Sequence, residues 1–199
     1  MAMKNRWNRS RSEFKPDAKT ATWIKTVRMT QQQRLRLLKW VLYALVIVLA
    51  LVIQDVIMSQ FRFFGATTDL AVCVILLITI IEGTEVGSLF VLIASTLYYF
   101  SGSAPGAYSI GLLSFLGIAA VMFRQLYLHR SRGSITLCTA IAVMGYEVGL
   151  FVVGIFSELT LWTRLVPFLL TGAYSSLVLI PLYPLICKIG LIGGNTWKE

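Results

Sequence analysis

Residues 68–100 read TDLAVCVILLITIIEGTEVGSLFVLIASTLYYF. The run is apolar on every face and is broken once, at Gly83-Thr84-Glu85-Val86-Gly87. As one helix it would measure about 48 Å at 1.5 Å per residue. A bilayer's hydrocarbon core is about 30 Å thick. The stretch must therefore fold back into two short segments, roughly residues 68–82 and 86–100. Four further apolar runs lie outside it, at about 37–58, 108–127, 135–156 and 165–189. Each is long enough to cross a membrane.

The composition agrees. Of 199 residues, 57% are hydrophobic and 14% charged, and the mean hydropathy is +0.75. That leaves too little polar surface to coat a water-soluble globule, and it excludes a disordered chain. Cys73, Cys138 and Cys187 are odd in number and sit in apolar runs, so they form neither a disulfide framework nor a metal spacing. The expected fold is an all-α integral membrane protein, a compact bundle of about six transmembrane helices. Its organisation reads as a basic cytoplasmic tail, partly disordered or interfacial, over 1–36, a membrane domain over 37–190 and a short cytoplasmic tail over 191–199.

Charge fixes the expected orientation. Residues 1–39 hold eleven of the eighteen Lys and Arg and only two acids, so the whole net charge of +9 lies there. With six spans and the N-terminus inside, sixteen basic residues face the cytoplasm, among them Arg124, Arg130, Arg132 and Lys188. Only Arg62 and Arg164 face out. Basic loops are retained on the cytoplasmic side, so both termini are expected inside. Arg34, Arg36, Lys39 and Trp40 read as the membrane-surface anchor of the first span, and the tail as a segment that meets anionic lipid. Trp23, Ile24 and Val27 lie on one side of a possible interfacial helix. Outside this tail there is no basic face for nucleic acid. The long basic N-region and the lack of a small-residue cleavage site argue against a cleaved signal peptide.

Chemistry-bearing residues are few. His129 stands in a basic connection, no nucleophile has a base at a recognisable spacing, and no phosphate loop or metal cluster appears, so nothing points to an enzyme or a cofactor. Glu147 is the unusual residue, near the middle of the fifth span in Gly145-Tyr146-Glu147-Val148-Gly149. Membrane carboxyls at mid-depth usually face a bundle interior or a cavity. Gly145 with Gly149, and Gly83 with Gly87, are pairs four apart that allow helices to approach closely. Pro181 and Pro184 interrupt the backbone hydrogen bonding of the last span. Glu147, the four glycines and Pro181 are the candidates for helix packing or partner contact. Gln54 and Asp55 at the outer end of the first span, and Glu82 and Glu85 in the turn, read as solvated.

A family outline emerges from the order of these features. The first helix ends at Gln54, and Asp69-Leu70 opens the second. A Gly-Glu-x-x-Gly-like turn follows at 83–87. The third helix closes in Leu97-Tyr98-Tyr99-Phe100 before the glycine-rich turn 101–108, and the last ends Pro181-Leu182-Tyr183-Pro184. This order resembles the bacterial rod-shape-determining membrane protein family MreD, with Tyr99 near the position where that family commonly carries Asp. The resemblance implies a non-enzymatic scaffold of the cell-elongation machinery in the inner membrane. Its partners would be MreC, the actin-like MreB, RodA and a penicillin-binding synthase. The outline is also similar to the substrate-binding S components of energy-coupling-factor vitamin transporters. Those dock through small residues four apart on the first helix, whereas Ala44 and Ala50 here are six apart.

Overall fold

The structure, a computed structural model, describes residues 31–58, 60, 66–127 and 132–192. The expected interfacial face of Trp23, Ile24 and Val27, His129, Arg62 and the tail beyond Ile192 lie outside these residues. The described residues form six α-helices: α1 (Gln31–Ile53), α2 (Leu70–Glu82), α3 (Thr84–Phe100), α4 (Tyr108–Tyr127), α5 (Arg132–Phe156) and α6 (Leu165–Gly190). A π-helical turn, Gln54–Met58, extends α1, and a 3-10 turn, Trp162–Arg164, leads into α6. Four of these helical stretches, those built on α1, α4, α5 and α6, are long and apolar enough to cross a membrane, while α2 and α3 are shorter apolar helices. The chain is thus an all-helical membrane protein.

The helix starts and stops follow local chemistry. Asp69 caps α2, its carboxylate accepting from the Val72 amide, one of the donors that a helix start leaves open. Gly83 both ends α2 and begins α3, with φ +88° and ψ −174°. That backbone conformation is almost confined to glycine. The fold-back expected over five residues thus takes one, because Thr84 to Gly87 are already helical. Gly83 is therefore a turn residue and not half of a helix-packing pair. Likewise Gln31 to Arg36, expected in the tail, are the first turns of α1.

α2 is the centre of the bundle. It packs against all five other helices, and of its thirteen residues all but Ile81 are buried. A helix apolar all round belongs inside, and here the other helices, not lipid, form its surroundings. α3 and α4 are tied by Ser95 and Ser114, whose hydroxyls lie 2.9 Å apart. α5 and α6 form another closely packed pair. Gly87 lies against the Thr79 carbonyl, with no room for a Cβ, which lets α3 close onto α2. Gly145 and Gly149 receive the side chains of Leu116 and Leu112, so this pair seats α4 on α5. Pro181 sits inside a continuous α6 on its exposed side. It does not face the interior.

Candidate functional site

The unequal helix lengths create a cleft. α5 and α6 have 25 and 26 residues, about 38 Å of helix each, whereas the 13 residues of α2 make only about 20 Å. At one end of the bundle α2 and α6 finish level. A Cβ on Gly190, the last residue of α6, would lie 3.1 Å from the Tyr43 hydroxyl and 3.2 Å from Ile81. The shortfall therefore falls entirely at the other end. There the Asp69 amide donates to the Ser175 hydroxyl at 2.9 Å. Ser175 is ten residues, about 15 Å, inside α6.

A cleft of about 690 Å³ occupies this space, within the range of small-molecule sites. Its floor is the start of α2, with Thr67, Thr68 and Asp69. The walls carry Glu147 and Leu150 from α5, Phe168 and Thr171 from α6 and Tyr98 from α3. Asp55 and Arg164 also line it.

The floor is held by side chains from three helices. Tyr98 donates to Asp69 Oδ2 at 2.9 Å. Gln54 Oε1 accepts from the Ala71 amide at 2.8 Å, and Cys73 donates to the Ser175 carbonyl at 3.2 Å. Gln54, expected to be solvated, instead serves an open amide of the first turn of α2. Asp55 is exposed, and its Oδ1 accepts from the Ser103 hydroxyl at 2.8 Å.

Glu147 differs from these. It is 3% exposed and lines the cleft. Among the described residues no group hydrogen-bonds or ion-pairs with its carboxylate. Gly172 makes the room: a Cβ there would lie 3.4 Å from Glu147 Cγ and close against Met144. A carboxylate this enclosed and without a partner among the described residues calls for a ligand, a water or a proton from the cleft.

The opposite end of α2 is sealed by charge. Lys39 Nζ lies 2.6 and 2.7 Å from the two oxygens of Glu82, and Tyr43 donates to Glu82 Oε1 at 2.6 Å. Arg124 donates to the Ile80 carbonyl, one of the acceptors that a helix end leaves open. Three expectations change here. Glu82 is buried and not solvated. Lys39 is 5% exposed and turns inward to Glu82, not to the membrane surface. Arg124, counted from the sequence among the basic residues facing the cytoplasm, sits in the last turn of α4 and is buried. Glu85, by contrast, is exposed. Arg34 and Arg36 are exposed on α1. Trp40 lies at the surface with its ring 5.8 Å from both Tyr43 and Phe90.

Between α1 and α3 runs a second, apolar groove of about 430 Å³, with Trp40, Ala44, Ile47, Phe90 and Ala94 among its lining. Among the described residues no three His, Cys, Asp or Glu side chains converge to hold a metal ion. Comparison with protein-family models, curated proteins and solved structures finds no significant match.

Proposed function

We propose that this protein is a non-enzymatic scaffold of the bacterial cell-elongation machinery, as its resemblance to the MreD family implies. It would lie in the inner membrane with all six helices crossing and both termini in the cytoplasm. It would organise peptidoglycan synthesis through contacts with membrane partners, of which MreC, MreB, RodA and a penicillin-binding synthase are the candidates. The observation that carries the reading is the surface: the described connections between helices are short, so a partner is met along helix faces. The groove between α1 and α3, with Ala44 and Ala94 in its lining, is an opening in that surface where small residues admit a neighbouring helix. The basic residues support the orientation. Arg34 and Arg36 fall in the first turns of α1, and Arg124 and Lys188 in the last turns of α4 and α6, with Arg164 at the opposite end of α6.

The cleft favours a second reading, capture of a small molecule as in the S components. Depletion of the protein in its native cells separates the two. Under the scaffold reading rods swell and round, and labelled wall precursor becomes diffuse along the side wall. Normal shape with a new requirement for an external vitamin would overturn it in favour of uptake.

A further inference from the structure

Glu147 is a buried carboxylate facing a cavity, with no partner among the described residues. Burying an ionised carboxylate is costly unless a counter-charge meets it. The other acids of the cleft are already engaged. Asp69 is occupied by the Val72 amide and by Tyr98, and Asp55 accepts from Ser103. The lining holds three carboxylates and one basic side chain, Arg164, which is exposed. Arg164 immediately precedes α6 and Glu147 lies beside Gly172, eight residues further along, so about 12 Å of helix separates their levels.

We propose that the cleft above α2 binds a small zwitterion whose ammonium group meets Glu147 and whose anionic end meets Arg164. A metal ion fits the site poorly, because hard divalent cations take six or more oxygen ligands and no three carboxylates converge. An organic ammonium needs one carboxylate and gains from aromatic rings, and Phe168 of α6 and Tyr98 of α3 are both in the lining. The volume of about 690 Å³ suits an organic molecule. A free amino compound and the headgroup of phosphatidylethanolamine share this chemistry. The assignment needs only the cleft and holds under either reading of the cellular role, so its test and the depletion experiment fail separately.

The test is charge-selective thiol labelling of the full chain in nanodiscs, with Cys187→Ser so that the remaining native thiols are buried. A cysteine at Thr171 reports on the cleft, and one at exposed Ala107 is the reference. Each is reacted with a trimethylammonium and with a sulfonate methanethiosulfonate. Clefts of one sign concentrate counter-ions by about tenfold or more. The cationic-to-anionic rate ratio at Thr171→Cys is therefore expected about tenfold above the reference. Glu147→Gln should lower it severalfold, the rest coming from Asp55 and Asp69, and Glu147→Asp should retain it. A ratio equal to the reference, or one unmoved by Glu147→Gln, overturns the site.

Occupancy is then read by protection. Slower labelling in phosphatidylethanolamine than in phosphatidylglycerol nanodiscs identifies a lipid headgroup. Protection by free phosphoethanolamine alone identifies a soluble ligand. Protection by neither overturns the zwitterion.

Discussion

Lys39 on α1 and Glu82 at the end of α2 form a buried ion pair, with Nζ within 2.7 Å of both carboxylate oxygens. The two residues stand 43 positions apart, and Tyr43 completes the carboxylate's shell. Removing one partner of such a pair leaves an unpaired buried charge, a loss of about 3–5 kcal/mol, whereas replacing both by apolar residues is often neutral. Lys39→Met alone should therefore lower the thermal midpoint in detergent by many degrees, and Lys39→Met with Glu82→Leu should recover most of the loss. Additive losses in the double variant would show that the pair is not coupled.

The fold-back between α2 and α3 depends on two glycines for different reasons. Gly83→Ala forces a side chain into a backbone region that costs about 1–3 kcal/mol. Gly87→Ala places a methyl against the Thr79 carbonyl, which cannot move without displacing α2. Both should lower the thermal midpoint, Gly87→Ala the more. Gly111→Ala is the control, because nothing lies within 4 Å of its added Cβ and alanine is the better helix former by about 1 kcal/mol.

Arg124→Met tests the cap on the end of α2. It removes the donor to the Ile80 carbonyl in a site 8% exposed. An acceptor left open in the interior costs about 1–3 kcal/mol. Hydrogen exchange should rise in the last turn of α2 and stay unchanged at its first turn. Uniform loss of protection would mean that the arginine holds the whole bundle and not one helix end.

Full crossing of α2 and α3 is checked by labelling in intact cells. Cysteines at exposed Ala107 and exposed Glu85 lie at opposite ends of the helices concerned. Ala107→Cys should react with an impermeant thiol reagent directly, and Glu85→Cys only after permeabilisation. Reaction of both from outside would make α2 and α3 a re-entrant pair.

The sequence shows the helices well and their neighbours poorly. α4, α5 and α6 begin and end within about three residues of expectation, because long apolar runs closed by glycine-rich or charged connections leave little latitude. The place of α2 was hidden. An all-round apolar helix is what lipid and a packed interior both select, so Thr68 to Glu82 read as one more span. Lys39 reads as a surface anchor, Glu82 as solvated and Arg124 as a cytoplasm-facing charge, because each stands near the end of an apolar run. The available signal was that ionisable residues inside membrane segments usually pair with one another or with backbone carbonyls. Glu147 was legible as inward-facing because of its depth, but the cleft before it was not. That space arises from a length difference between α2 and its neighbours, which no local motif records.

The sheltered position of α2 also decides what membrane thickness acts on. Hydrophobic mismatch is felt by helices that touch acyl chains, which tilt or bend to match the bilayer. α2 is sealed inside by its neighbours and capped at both ends by their side chains. Its length is therefore set by the protein and not by the lipid. A thinner or thicker membrane bears on the long outer helices and leaves α2 a fixed strut.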